Sequence, residues 1–216
     1  MLFPLLLVGW LMARWSGGSR ELWVATGRMV VQLLTVGYFL VFLFEGNRGW
    51  VTTLVVLFMM VVSAMIAVRM VKEQKLSSFG DALWAITIGG GTIFLLVVFG
   101  VLEGANDFSA RFVVPIAGMI FANAMTAVTL SAERFEAELR NGREYVEARK
   151  AAWNTSLIPQ INSFLAVGLV SLPGMMTGQI LAGASPLDAV RYQILVMAMV
   201  LGAAGISVAL FLVRRK

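Results

Sequence analysis

The chain has 216 residues, of which 59% are hydrophobic and 13% charged, with a formal net charge of +5. A soluble domain this small exposes too much surface to hide that apolar content, which excludes a soluble enzyme, a disordered tail and a secreted disulfide scaffold. Cysteine and histidine are both absent, so a disulfide, a thiolate metal site, a Cys nucleophile and a His general base are excluded too.

The apolar residues fall into seven runs, read here in chain order. Residues 1–13 form a short run containing Pro4. No basic residue precedes it, and Arg14 and Trp15 stand where a small-residue cleavage site would be needed. It therefore reads as a short or tilted first span, not a leader, and its full crossing is left open. The second run covers 29–44, beginning near Leu22, and carries Gln32 and Thr35. The third covers 51–68. The fourth, 82–102, is interrupted by Gly89-Gly90-Gly91, which reads as close helix packing. The fifth, 112–130, opens with Pro115 and Gly118. It places Asn123 and Thr126 on one helical face, with Met119 and Met125 nearby.

The connection at 131–158 is the one long charged loop. Phe135 and Leu139 are spaced i, i+4, so a helix can begin there. Asn141-Gly142 is a stop signal. A second helix over 143–157 would put Val146, Trp153 and Leu157 on one face among charges. Pro159 should end or kink it. The stripe suits either a soluble partner or the lipid headgroups.

The sixth run, 161–183, opens with Asn162 and Ser163 and contains Ser171, Pro173, Gly174, Met175, Met176, Thr177 and Gly178. A Pro-Gly pair at mid-membrane should kink or break the helix, and freed carbonyls then need protein or water. Breaks of this kind build substrate sites in many transporters. The methionines read better as gap fillers than as soft-metal ligands. The seventh run covers 194–213. Seven runs predict an all-α polytopic membrane bundle of about seven transmembrane helices, forming one domain over 1–216.

The basic residues are unevenly placed. The odd connections and the C-terminus leave only Arg48, Arg111 and Arg191 of the 17 for the other side. The positive-inside rule then puts the N-terminus outside and the C-terminus in the cytoplasm. Arg28, Glu45, Arg69, Asp81 and Glu103 sit at run ends, where snorkelling accounts for them. No charge lies mid-run, which argues against a proton pump or a carboxylate-coupled transporter. No lysine stands in a P-loop context, so the chain itself is not an ATPase and carries no cofactor of its own. The pattern alone leaves open a pump subunit, a self-contained channel or facilitator, and a non-transporting scaffold.

Three stretches carry a resemblance. They are Gly27-Arg28 with Gln32 and Gly37-Tyr38; Val114-Pro115-Ile116-Ala117-Gly118 with Asn123 and Met125; and Leu157-Ile158-Pro159-Gln160-Ile161 with the segment from Val167 to Gly178 and Tyr192-Gln193. From about residue 20 onward the chain resembles the Fet-type ABC permeases, bacterial iron-export membrane subunits to which plant aluminium-tolerance subunits are similar. Asn162 stands where an acidic residue is common in that family, and Leu165 near a common basic position. The resemblance implies a permease subunit in a bacterial cytoplasmic (inner) membrane, exporting a metal ion such as iron. It implies a permease homodimer with two copies of a cytoplasmic ABC ATPase that holds ATP and Mg, in contact with membrane lipids and not with nucleic acid. It places coupling to the ATPase on Glu136, Leu139, Gly142, Tyr145, Val146, Arg149 and Trp153. The substrate pathway then falls on Gln32, Asn123, Met125, Asn162, Ser171, Pro173, Gly174, Met175 and Met176. Metal ligands are not identified.

Overall fold

The computed structural model describes residues 2–15, 19–46, 49–69, 75–100 and 109–215. Arg48 and Glu103, used above, lie outside the described residues. Every regular element among the described residues is a helix: α1 (Leu2–Trp15), α2 (Ser19–Gly46), α3 (Gly49–Ala67), α4 (Lys75–Gly100), α5 (Ala110–Arg140), α6 (Tyr145–Ala166), α7 (Gly174–Leu181) and α8 (Pro186–Arg214). Five of them, α2, α3, α4, α5 and α8, are long and apolar enough to cross a membrane. The chain is a multi-pass helical membrane protein, as its composition required.

The chain divides into two units, Met1–Arg48 and Gly49–Lys216. In the first, α1 packs on α2 where Gly9 meets Trp23; a Cβ on Gly9 would lie 2.8 Å from the indole. At 14 residues, α1 is roughly 21 Å long, short of a bilayer core of about 30 Å. It is the shortened first run expected from the sequence.

In the second unit α4 is the hub. Its three consecutive glycines face three different helices. A Cβ on Gly89 would lie 2.6 Å from the Ser207 backbone nitrogen of α8. One on Gly90 would lie 3.2 Å from the Phe121 ring of α5, and one on Gly91 3.5 Å from Met60 of α3. Successive helical residues point about 100° apart, so one glycine triplet serves three close approaches. Around it Ile86, Phe94, Ile120, Phe121, Val208 and Phe211 form the core.

The sixth and fifth runs differ from the sequence reading. No helix starts at Phe135: α5 continues unbroken from Ala110 to Arg140. Its buried positions Val128, Ser131, Ala132, Phe135 and Glu138 keep helical spacing across the change from apolar to charged sequence. The packing stripe, not local polarity, sets the helix length. Likewise α6 does not end at Pro159 but runs through it to Ala166. Proline removes one donor, while Ala148, Ala152, Ser156 and Gln160 keep α6 packed on both sides of it.

The sixth run is broken, but over 167–173 and not at mid-depth. Tyr145 at the start of α6 is tied to Leu212 near the end of α8. From that level Ala166 stands roughly 30 Å along the helix, near the opposite end of the bundle. The chain there wraps around one carbonyl: the N–H groups of Leu169, Val170 and Ser171 all donate to Ala166 O, at 2.8–3.2 Å. Gly168 has φ +78, the left-handed region that favours glycine. Pro173 then caps α7 with φ −59.

Candidate functional site

Two places in the second unit gather polar chemistry. The first is the end where α4 and α6 begin and α5 and α8 finish. Asn141 and Gly142 stop α5 by a Schellman motif: Arg143 N–H donates to Glu138 O, and Gly142 N–H to Leu139 O. Gly142 has φ +79, so a side chain there would be strained. The turn reverses the chain into α6, making an α5–α6 hairpin.

Ion pairs fix that hairpin to its neighbours. Glu138 is only 3% exposed. It pairs with Arg134 one turn earlier and with Arg143 across the turn. Glu136 accepts from Arg215 at 3.0 Å. Arg214 pairs with Asp81 of α4 at 2.9 Å and lies over the Trp84 ring. Tyr145 donates to Leu212 O at 2.8 Å, packs edge-on against Phe135 and carries Arg149 over its face. Two carboxylates of α5 and one of α4 thus hold the C-terminal arginines of α8 and the turn arginine. Charge-assisted bonds of this kind are stronger than neutral ones and depend on angle, so they make the four ends behave as one body.

Of the expected coupling residues, Glu136, Gly142, Tyr145 and Arg149 belong to this network. Leu139 and Val146 are exposed at its tip, Val146 by 61%. Trp153 is different. It lies two turns inward, and its indole tip is 3.9 Å from where a Gly205 Cβ would stand on α8. One edge of the ring thus meets α8, while the side chain as a whole stays 37% exposed.

The second place is the break. Ser171 O accepts from Gly168 N–H. Thr177 bonds Pro173 O through both its backbone and its hydroxyl. Gly174 and Gly178 have nothing within 4 Å of a built Cβ. Alongside lies a groove of about 410 Å³ lined by residues of α6, the break, α7 and α8, including Phe164, Leu172, Met176, Gln193 and Ile194. Gln193 is 6% exposed, and its carbonyl oxygen has no hydrogen-bond partner. The carbonyl oxygens of Gln160 on α6 and Gln179 on α7 are also buried and without partners.

The structure does not gather all the expected pathway residues. Ser171, Pro173, Gly174, Met175 and Met176 are together at the break, but only Met176 lines the groove. Asn162 is exposed on α6. Asn123 and Met125 sit on α5, where Asn123 donates to Met119 O and Met125 packs against the core. Gln32 is exposed on α2, in the first unit. No group of three Asp or Glu side chains that could hold a metal exists among the described residues. Sequence reasoning missed Asp81, Glu138 and Arg214 as structural partners. A signal was available for Glu138, which falls on the helical stripe of Ser131 and Phe135. The partners of Asp81 are supplied from the far end of the chain and left no local trace.

A family model described as an uncharacterised protein family, UPF0014, matches residues 1–215. The chain is 33% identical to "UPF0014 membrane protein slr1647" of Synechocystis, over 90% of this chain and 85% of that one. It is 35% identical to "Probable iron export permease protein FetB" of Escherichia coli, over 90% of this chain and 80% of that one. It is 34% identical to "Protein ALUMINUM SENSITIVE 3" of Arabidopsis thaliana, over 87% of this chain and 72% of that one. No solved structure matches the chain significantly.

Proposed function

The chain belongs to the UPF0014 family of membrane proteins, and from that premise we propose that it is the membrane-spanning permease subunit of an ABC transporter. It works in a bacterial cytoplasmic membrane as a homodimer with two copies of a separate ATPase that supplies ATP and Mg. Its cargo is a metal ion such as iron, moved outward. The relative named for iron export supports the transport reading.

The observation that carries the coupling is the α5–α6 hairpin. Its tip offers exposed Leu139 and Val146, while its base is ion-paired to α4 and α8. A push on the tip is therefore delivered to four helix ends together. Because α6 is continuous from the tip to Ala166, it acts as a lever whose far end is the break. The chain there leaves the helix and is held by local hydrogen bonds around Ala166 O, and that is where motion would open a passage. Ser171, Met175 and Met176 at the break and Asn162 on α6 offer hydroxyl, thioether and carboxamide groups to a passing ion.

Purification from native membranes in mild detergent, followed by an ATPase assay with and without iron, tests this. A P-loop chain should co-purify and hydrolyse ATP, with hydrolysis rising when iron is added. Val146→Glu should cut ATPase recovery about tenfold, the scale of a lost interface anchor, while leaving the yield of this chain unchanged. Recovery of the chain alone, without hydrolysis in several detergents, would overturn the reading.

A further inference from the structure

Asn141-Gly142 carries chemistry beyond its role as a helix stop. The chain holds six asparagines, and Asn141 alone is followed by glycine. An asparagine before glycine is the most open to attack by its own backbone, because no Cβ on the next residue crowds the amide nitrogen. The other asparagines among the described residues, Asn123, Asn154 and Asn162, lie inside α5 and α6. There the next amide is held in the helical ladder. Asn141 and Gly142 instead form the exposed turn at the hairpin tip.

The closed turn blocks the reaction. Asn141 has φ −81 and ψ 6, so the Gly142 nitrogen nearly eclipses the nitrogen of Asn141 and stands away from its Cβ. Ring closure needs a rotation of about a third of a turn about the Cα–C bond. That rotation breaks the Gly142 N–H bond to Leu139 O at 3.0 Å and the Arg143 N–H bond to Glu138 O at 3.1 Å. Glu138 pins Arg143 further through the side-chain pair at 2.8 Å. The turn therefore has to open before the side chain can react, and an exposed turn held by few bonds belongs to the readily opened parts of a fold.

We infer that Asn141 is a self-modification site, deamidated through Gly142 whenever the turn opens. The Gly142 nitrogen attacks Asn141 Cγ. A new C–N bond closes an imide ring, and the side-chain nitrogen leaves as ammonia with the Gly142 proton. Water then opens the ring at either carbonyl. One route leaves an ordinary aspartyl, the other an isoaspartyl whose main chain runs through the former side chain. Nothing is oxidised or reduced. The isoaspartyl inserts a methylene between Glu138 and Arg143, so the two turn bonds no longer close in register. The tip also gains a carboxylate next to Arg140. Both changes loosen the hairpin where it joins the ion-pair network. The reaction needs neither partner nor cargo, so it stands apart from the permease reading.

The test incubates the full chain in nanodiscs in mildly alkaline heavy-oxygen water. Peptides are then sequenced by mass spectrometry with electron-transfer fragmentation, which separates the two products. Heavy oxygen should enter position 141 before Asn123, Asn154 or Asn162, with isoaspartyl in excess. The folded chain should convert about thirtyfold more slowly than the chain unfolded in denaturant, the scale of two backbone hydrogen bonds. Glu138→Gln should raise the folded rate about tenfold and leave the unfolded rate unchanged. Equal folded and unfolded rates in wild type would overturn the inference, as would a folded chain that takes up no label at position 141. Label entering another of these asparagines first, or no acceleration in a folded Glu138→Gln, would overturn it too. If that variant does not fold, the wild-type ratio decides the matter.

Discussion

Glycine shows how much a single position depends on its neighbours. Gly89 and Gly174 look alike in the sequence, each within an apolar run. The first lets α4 and α8 touch at backbone distance, and the second faces open space. Gly89→Ala should therefore force the two helices apart and cost about 1–3 kcal/mol, the usual range for overpacking. Gly174→Ala should change stability by less than about 0.5 kcal/mol, as for an unhindered surface position. Thermal unfolding in one detergent compares the two directly; equal losses would show that the Gly89 contact is not structural. Sequence spacing marked Gly89 as a packing residue. It did not say which helix Gly89 meets, because Ser207 lies more than a hundred residues away.

Among the elements, α5 and α6 are the instructive pair. The stop at Asn141-Gly142 was legible because it is made by local bonds and one left-handed residue. The continuity of α5 was less so, since it depends on burial of Phe135 and Glu138 beneath α6 and α8. Glu138 is the keystone of the turn. Glu138→Ala would leave Arg134 and Arg143 without their shared carboxylate, though both are half exposed and water can take over. A loss of about 1–3 kcal/mol is expected, with protease cutting near 141–144 as the sensitive readout. Cleavage no faster than in wild type would mean that the Schellman bonds alone hold the turn. Trp153 is exposed on α6, and the tip of its indole also reaches Gly205 on α8. Trp153→Glu should lower stability as well as coupling, so Val146 is the cleaner probe of the tip.

At the scale of the whole second unit, the cross-helix ion pairs gather at one end. Asp81, Glu136 and Glu138 meet Arg214, Arg215, Arg134 and Arg143 there. The pair between Glu136 and Arg215 is well shielded on both sides. A double-mutant cycle with Glu136→Gln and Arg215→Gln should give a coupling of about 1 kcal/mol; strict additivity would show that the pair adds nothing. The far end is built differently, from exposed apolar side chains, a non-helical segment and unpaired carboxamides.

Composition, run length and the placement of basic residues were enough to establish a multi-pass helical membrane protein with one charged end. The turn at Asn141-Gly142 and the disruption around Pro173-Gly174 were also written locally, because each depends on the chemistry of a few adjacent residues. Only the tertiary structure decided where the sixth run breaks, how far α5 extends, which helix each glycine admits and which glutamines are buried without partners. These depend on contacts between segments far apart in the chain, and no local pattern records the depth at which two helices meet.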